Sequence, residues 1–85
     1  MFYFYVLQSL RDSMLYTGFS NDLKSRLEKH NSGSTSSTNG RRPFRLVYYE
    51  AYRSERDARK RERQIKLRAQ AFTSLKRRIP YSIGV

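Results

Sequence analysis

The stretch LYTGFSNDLKSRLEKH, residues 15 to 30, changes from the pattern of a strand to the pattern of a helix within sixteen positions. Its first half is rich in aromatic and β-branched residues, which is typical of a strand. In its second half Leu23 and Leu27 lie four residues apart, which favours a helix with one apolar stripe. Arg26 and His30, also four apart, form a second stripe on the same helix. The stretch therefore predicts a strand followed by a helix whose polar stripe is a candidate site.

The residues before this helix predict a hairpin. Residues 2–10, FYFYVLQSL, are aromatic and β-branched with no glycine or proline, and the turn RDS leads into a second strand over residues 14–20. The helix is expected from about Asp22 to Asn31. Ser20 or Asn21 is expected to cap it, with Asp22 favourable in its first turn.

The residues after this helix predict one polar loop and three further elements. Residues 32–42, SGSTSSTNGRR, contain no hydrophobic residue and end in a basic pair, so we expect a loop on the substrate side of the domain. Ser54 and Asp57 have the spacing of a capping box, which predicts the start of a helix. The expected elements are a strand from Pro43, a helix from about Glu55 to Arg68 and a helix from about Ala69 to Arg78.

The element order β-β-α-β-α-α limits the fold, because 85 residues leave room for one hydrophobic core and no second module. We expect a single domain over residues 1–85 of the α+β class, with a three-stranded mixed or antiparallel sheet flanked by helices. The chain has no cysteine, which excludes a zinc knuckle, a thiol nucleophile and a disulfide framework.

The net charge of +11 is unevenly distributed along the chain. Nine basic residues and a single acid, Glu62, lie between Arg59 and the end of the chain. This excess predicts a surface that faces phosphate groups, although a solubilising charge, a ribosomal role or a membrane surface would also use it. The N-terminus lacks the basic leader of a signal peptide, and its apolar run is too short to span a bilayer. We therefore expect a soluble, cytoplasmic protein with no membrane partner.

Glu62 interrupts an apolar stripe on the second predicted helix. It lies four residues after Ala58 and three before Ile65, and the stripe continues through Ala69 and Phe72. A carboxylate is costly to bury unless a charge or a metal compensates it. Glu62 is therefore a candidate metal ligand, and an ordinary ion pair with a neighbouring arginine is the alternative.

Two tyrosines of the predicted hairpin are weaker candidates. Tyrosines in a hairpin usually fill the core, but Tyr5 and Tyr16, next to Gly18, could present both hydroxyls at one cleft, since a glycine lets a ligand approach the backbone. Hydrolysis of a phosphodiester needs a proton acceptor, a cation on the phosphate oxygens and usually a divalent metal. Tyrosine, arginine, histidine and glutamate can supply those roles, and a lone carboxylate can hold one hydrated Mg²⁺ or Mn²⁺.

The sequence resembles the GIY-YIG nuclease superfamily, specifically its small stand-alone bacterial members. The two signature triplets correspond to YFY, Tyr3 to Tyr5, and YTG, Tyr16 to Gly18, and three later segments follow in order: DLKSRLEKH, RRPFRLVYYEAY and DARKRERQIK. The match covers essentially residues 2–68. The sequence departs from the pattern in three places. Tyr3 and Phe4 stand where the family name has glycine and isoleucine, which leaves Tyr5 in place, and Thr17 replaces isoleucine. No asparagine follows Asn39, where many members have a late asparagine. The tail KRRIPYSIGV offers only Ser82 as a polar substitute.

The resemblance implies a role for each candidate. Tyr5 would act as the general base or orient the attacking water, and Tyr16 would position water or the scissile phosphate. Arg26 would clamp a non-bridging phosphate oxygen, and His30 would assist proton transfer or hold Tyr5. Glu62 would bind Mg²⁺ or Mn²⁺. The candidates for contacts with the nucleic-acid backbone are Lys24, Arg41, Arg42 and Arg45.

The sequence and the resemblance together predict a metal-dependent endonuclease that acts on DNA, with repair or processing of structured DNA as the expected context. RNA stays open as a substrate. A catalytically silent nucleic-acid-binding module of the same fold is the alternative, because the late asparagine is missing. A basic ribosome-associated protein would account for the charge but not for Glu62 on an apolar stripe.

Overall fold

The fold is α+β, with the element order that the sequence predicts. A computed structural model describes residues 1–35 and 38–84 of the chain. A 3₁₀ turn, Asn39–Arg41, lies between the first helix and the third strand. The elements are β1 (Phe2–Ser9), β2 (Leu15–Ser20), α1 (Leu23–Asn31), β3 (Phe44–Tyr52), α2 (Glu55–Leu67) and α3 (Ala69–Arg78).

The three strands form one antiparallel sheet in the order β2-β1-β3. Of the two arrangements left open by the sequence, mixed or antiparallel, the antiparallel one is therefore correct. Tyr5 at the centre of β1 lies opposite Gly18 of β2 and Tyr49 of β3. The central strand is buried on both faces, in agreement with its nearly continuous run of apolar residues.

Successive residues of β1 point to opposite faces of the sheet, and a different set of helices covers each face. On one face, Tyr5 and Leu7 pack with Leu23 and Leu27 of α1. On the other face, Phe4 and Val6 pack with residues of α2 and α3; their buried partners are Ile65 and Leu75. The sheet is thus enclosed between α1 and the α2–α3 pair.

The cap of α1 differs from the prediction, whereas α2 begins at Glu55 as predicted. The N-cap of α1 is Asp22, neither Ser20 nor Asn21: its backbone is extended and its Oδ1 accepts a hydrogen bond from the backbone N–H of Ser25 at 3.1 Å. Ser20 instead accepts from the backbone N–H of Asp22 at 2.9 Å, which fixes the turn before the cap. Ser54 is the N-cap of α2, but its side chain makes no capping hydrogen bond. A carboxylate is a stronger acceptor than a hydroxyl, and this favours the aspartate as the cap of α1.

The apolar stripe of α2 ends earlier than its spacing suggests. Arg68 has extended backbone angles, so it ends α2 and begins α3. Ala69 is exposed as a result, whereas Ala58 and Ile65 are fully buried. The predicted continuation of the stripe through Ala69 is therefore wrong, but Glu62 does lie between its two buried members.

Candidate active site

All five predicted catalytic residues line one cavity of about 410 Å³. The cavity lies at the free edge of β2, where residues of α1 from one face of the sheet meet residues of α2 from the other. The remaining lining residues are Thr17, Gly18, Phe19, Thr35, Thr38, Arg59 and Lys66; the five predicted ones are Tyr5, Tyr16, Arg26, His30 and Glu62. The structure thus brings the two signature triplets, α1, the polar loop and α2 to one place, and the catalytic roles of the five residues stay predictions.

The phenol of Tyr5 is held between a histidine and an arginine. Its hydroxyl lies 3.2 Å from Nε2 of His30, and Nε of Arg26 donates to the same oxygen at 3.2 Å. Nδ1 of His30 lies 2.9 Å from the hydroxyl of Thr38. Tyr5 is 3% exposed and His30 is 5% exposed, so both groups are removed from bulk water. The arrangement gives one hydroxyl oxygen both a nitrogen base and a cation as neighbours.

Gly18 is required by the position of this phenol. A Cβ atom on Gly18 would lie 2.3 Å from the hydroxyl oxygen of Tyr5 and 2.5 Å from its Cζ. No other residue fits there unless the tyrosine ring moves. The space over Gly18 is therefore occupied by Tyr5 and is not open to a ligand. The sequence suggested that this glycine lets a ligand approach the backbone, and that reason is wrong.

His30 is kept in its neutral form. Burial lowers the pKa of its imidazole below the usual value, and the nearby Arg26 guanidinium lowers it further. The ring also lies edge-on to Phe44, with centroids 5.8 Å apart. At neutral pH His30 therefore has one ring nitrogen that carries no hydrogen and can accept a proton.

Tyr16 lies on β2 and lines the same cavity as Tyr5, Arg26 and His30. Its ring packs edge-on against Phe44, with centroids 5.2 Å apart and an interplanar angle of 89°. Tyr16 and Gly18 share a face of β2 because they are two residues apart. The tyrosine is half-buried, so its ring is fixed by the core while it lines the cavity.

Glu62 supplies the carboxylate of the cavity lining. Its side chain is 21% exposed, and its Oε2 accepts a hydrogen bond from Nζ of Lys66, one turn further along α2, at 3.0 Å. The alternative of an ordinary ion pair is thus realised, but with a lysine whose side chain is 53% exposed and not with an arginine. An i,i+4 pair of this kind stabilises the fold by about 0.3–0.5 kcal/mol. A divalent cation can therefore displace the ammonium group of Lys66 from the carboxylate.

A hydrated divalent ion fits this carboxylate. Among the described residues, 1–35 and 38–84, no group of three or more histidine, cysteine, aspartate or glutamate side chains could enclose a metal. Mg²⁺, however, keeps several waters and commonly takes only one or two protein carboxylates together with oxygens of a substrate phosphate. One half-buried glutamate in a cavity lined by cations agrees with an ion that binds together with a phosphate.

The cations that line this cavity beside Arg26 are not the four that the sequence suggested for contacts with nucleic acid. Arg59 and Lys66 line it, at three residues before and four residues after Glu62. The spacing places both on the same side of α2 as the carboxylate, a signal that was present in the sequence. The guanidinium of Arg59 also lies over the ring of Phe19, 4.2 Å from its centroid.

The four suggested residues, Lys24, Arg41, Arg42 and Arg45, lie outside this lining. Arg41 pairs with Asp12, and this hydrogen bond raises the pKa of Arg41. Arg45 donates to Oε1 of the buried Gln8 at 2.8 Å, which ties β3 to β1. These two arginines have intramolecular partners, and binding of nucleic acid by all four stays a prediction.

The comparison with protein families agrees with this geometry. A family model of the GIY-YIG catalytic domain matches residues 1–77. The chain belongs to the GIY-YIG family. The family implies a nuclease and a nucleic-acid substrate, and its members typically use a divalent metal.

Small bacterial proteins named UPF0213 are similar to this GIY-YIG chain. The UPF0213 protein of Clostridium perfringens is 43% identical over 67 residues, which cover 78% of this chain and 71% of the relative. The UPF0213 protein of Pediococcus pentosaceus is 41% identical over 71 residues, 82% of this chain and 74% of the relative. A Staphylococcus aureus relative is 43% identical over 65 residues, 75% of this chain and 79% of the relative. No solved structure matches the chain. Among the described residues, no helix is long and apolar enough to cross a membrane.

Proposed function

We propose that this protein is a divalent-metal-dependent endonuclease that hydrolyses phosphodiester bonds in DNA. The observation that supports it most is the hydroxyl of Tyr5, held between the nitrogen of His30 and the guanidinium of Arg26 at 3.2 Å each, in a cavity that also contains Glu62. A base, a cation and a carboxylate at one cavity are the groups that hydrolysis of a phosphodiester requires.

Tyr5 takes the proton of the attacking water in this proposal. As the water oxygen bonds to phosphorus, its proton passes to the phenolic oxygen, and the phenolic proton passes to Nε2 of His30. The bond between phosphorus and the leaving oxygen breaks, and the leaving oxygen takes a proton from solvent. The low pKa of buried His30 keeps it neutral before this transfer, and the resulting charge lies next to the phosphate.

Arg26 and Tyr16 act on the phosphate. The guanidinium of Arg26 uses one N–H on Tyr5 and bonds to no other side chain or carbonyl among residues 1–35 and 38–84, so its other donors would bind a non-bridging oxygen, on which charge increases in the transition state. Tyr16, fixed by Phe44, is in reach to position the water or the phosphate. Arg59 and Lys66 add positive charge to the same cavity.

Glu62 is the residue that would hold the metal ion. A bound Mg²⁺ or Mn²⁺ would polarise the phosphate and stabilise the leaving oxygen. Lys66 neutralises the carboxylate in the absence of the ion, at the 3.0 Å distance seen here. With the ion on Glu62, the ammonium group of Lys66 would contact a phosphate oxygen instead of the carboxylate.

A second candidate function is binding of nucleic acid without turnover. Within the described residues, the lining of the cavity contains no residue beyond Lys66, so the tail contributes nothing in place of the family's late asparagine. Ser82, the one polar substitute in the tail, uses its backbone carbonyl to accept a hydrogen bond from Arg45 at 3.4 Å. Repair or processing of structured DNA is the proposed context for either function.

The proposal is tested by incubating the protein with labelled duplex, branched and single-stranded DNA, and with RNA of the same sequences, in Mg²⁺, Mn²⁺ or EDTA. We expect cleavage of at least one DNA substrate with either ion and none with EDTA. Binding of every substrate with no cleavage would favour the silent binding module. Cleavage of RNA alone would retain the chemistry and correct the substrate.

A further inference from the structure

We propose that Thr38 is a positioning residue that fixes the tautomer of His30, so that Nε2 carries the lone pair that receives the proton of Tyr5. The inference rests on the proposed function for its consequence, whereas the tautomer rests on the hydroxyl of Thr38 donating to Thr35. Thr38 lies in the polar loop between α1 and β3, eight residues after the histidine that it contacts.

The hydroxyl of Thr38 has a single hydrogen, and the loop uses it. Oγ1 of Thr38 donates to the backbone carbonyl of Thr35 at 3.3 Å. The same oxygen lies 2.9 Å from Nδ1 of His30. Because the hydroxyl has no second hydrogen to donate, it accepts in this contact, and Nδ1 carries the hydrogen.

The rest of the network then has one consistent assignment. A neutral imidazole carries one hydrogen, so Nε2 has a lone pair and accepts the hydroxyl hydrogen of Tyr5 at 3.2 Å. The phenolic oxygen in turn accepts from Nε of Arg26 at 3.2 Å. Among the described residues no buried side-chain nitrogen or oxygen lacks a hydrogen-bond partner. Each buried group of this hydrogen-bond network therefore has a partner. The direction of donation runs from Tyr5 to His30, then to Thr38 and to the loop backbone.

Burial prevents water from replacing Thr38. Thr38 is 3% exposed and His30 is 5% exposed. The opposite tautomer would require the hydroxyl of Thr38 to turn away from Thr35 and donate to Nδ1, so the carbonyl of Thr35 would lose one of the two hydrogen bonds that it accepts from Thr38. The backbone of Thr38 is itself held in a turn, since its N–H donates to Thr35 at 3.1 Å and its carbonyl accepts from Arg41 at 3.0 Å. The loop is thus connected to the acid–base group through one hydroxyl.

The test is the ¹⁵N spectrum of the ring nitrogens, read beside single-turnover cleavage. The chain has one histidine, so histidine labelled with ¹⁵N gives one pair of ring signals. In the unchanged protein we expect the hydrogen on Nδ1 and a lone pair on Nε2. In Thr38→Val, which keeps the shape but removes the acceptor, we expect the hydrogen to move to Nε2 in much of the population and the cleavage rate to fall about 10- to 100-fold, the usual effect of losing an orienting partner.

Two variants separate positioning from packing. Thr38→Ser keeps the hydroxyl and should restore both the Nδ1–H signal and most of the rate. Thr73→Val makes the same atomic change on exposed α3 and should change neither. An Nε2–H signal in the unchanged protein overturns the proposal even where Thr38→Val does not fold, as does an unchanged tautomer in a folded Thr38→Val. If the unchanged protein cleaves no nucleic acid, the proposed function fails while the ¹⁵N signals still decide the tautomer.

Discussion

Two groups of hydrogen-bonded tyrosines lie on opposite faces of the sheet and differ in the partner of the phenol. In the Tyr5 cluster, formed by Tyr5, Arg26 and His30, the phenol contacts a neutral nitrogen base and a cation. In the Glu50 cluster, Tyr48 and Tyr52 both donate to the carboxylate of Glu50, at 2.6 and 2.5 Å, and Arg61 of α2 donates to the same carboxylate at 2.9 Å.

In the Glu50 cluster the carboxylate partner favours the protonated phenol. Burial, and then the hydrogen bond to Glu50, raises the pKa of Tyr52 to about 12, and the same causes raise the pKa of Tyr48. Burial alone would raise the pKa of Glu50, but the hydrogen bonds from Arg61 and both tyrosines outweigh it and lower that pKa. The Glu50 cluster therefore holds its protons and joins β3 to α2, whereas the Tyr5 cluster has a base in position to take one. Tyrosine thus has a structural partner in the Glu50 cluster, and in the Tyr5 cluster it has the partners that the proposed function requires.

The largest expected difference between the clusters is in cleavage. Tyr5→Phe removes one hydroxyl and little volume, so we expect single-turnover cleavage to fall about 10²- to 10⁴-fold, the usual cost of losing a general base. Folding and DNA affinity should survive. The matched change Tyr52→Phe should leave the cleavage rate within about threefold while it lowers the free energy of unfolding by roughly 1 kcal/mol. Equal cleavage by Tyr5→Phe would move the role of the base to Tyr16 or His30.

The next largest expected effect is on stability, through the Glu50 cluster. Glu50→Gln leaves the guanidinium of Arg61, 21% exposed, without its anion. We expect the free energy of unfolding to fall by roughly 1–3 kcal/mol, or about 4–8 °C in Tm for each kcal/mol. Glu55→Gln, which removes an exposed pair with Arg59, is the control and should change stability by at most about 0.5 kcal/mol. Equal effects of the two changes would mean that Glu50 does not hold α2 on the sheet.

The clusters should also lose stability in different pH ranges. The folded pKa of His30 lies below its usual value of about 6.5, so the unfolded chain binds the proton more readily. This contribution is complete above about pH 6.5 and is lost as the pH falls through the folded pKa. The folded pKa of Glu50 is also lowered, from an ordinary value of about 4.3, so its contribution is lost only at lower pH. The free energy of unfolding, measured with urea between pH 3 and 8, should lose its pH dependence near pH 6 in His30→Gln. In Glu50→Gln its pH dependence in the acidic part of this range should become smaller.

The smallest expected effect is on the salt dependence of DNA binding. Binding of labelled DNA should weaken with salt, with a log–log slope of about −0.9 per duplex phosphate neutralised. In a Tyr5→Phe background, Arg59→Gln should reduce this slope by about 0.9, because Arg59 lines the cavity. Arg41→Gln should change it less, because Arg41 lies outside the cavity lining. Both arginines have an acidic partner, Asp12 for Arg41 and Glu55 for Arg59. The reverse order would restore the original prediction that the basic pair before β3 contacts the backbone.

Much of the fold could be predicted because its signals are local. The aromatic run of β1, the leucine spacing of α1 and the end of α2 before Ala69 are all properties of short windows of sequence. The five segments that resemble the GIY-YIG pattern, in the right order, also indicate the site residues Tyr5, Arg26 and Glu62. Periodicity identifies elements of this kind, and the family pattern identifies the polar residues that they carry.

The hydrogen-bond partners could not be predicted in the same way. Thr38 lies in a loop of similar serines and threonines, and only the closure of that loop on α1 distinguishes it from Thr35. Asp22 became the cap of α1 because of the backbone angles of a turn, which composition does not specify. The charge of Arg45 predicts a contact with nucleic acid, but it does not predict the hydrogen bond to Gln8, which is 37 residues away in sequence. These contacts depend on tertiary structure and on single donors and acceptors.

The measurement that tests the central claim most directly compares Glu62→Gln with the unchanged protein in Mg²⁺-dependent cleavage and thermal melting. The substitution keeps the shape and removes the charge that would hold the ion, and it costs one exposed i,i+4 pair worth about 0.3–0.5 kcal/mol. We expect metal-dependent cleavage to be lost, Tm to change by at most about 4 °C and DNA to bind as tightly or slightly more tightly. Glu28→Gln, on the exposed side of α1, should change none of these. A large fall in Tm with cleavage intact would show that Glu62 is a scaffold residue and would contradict the metal site.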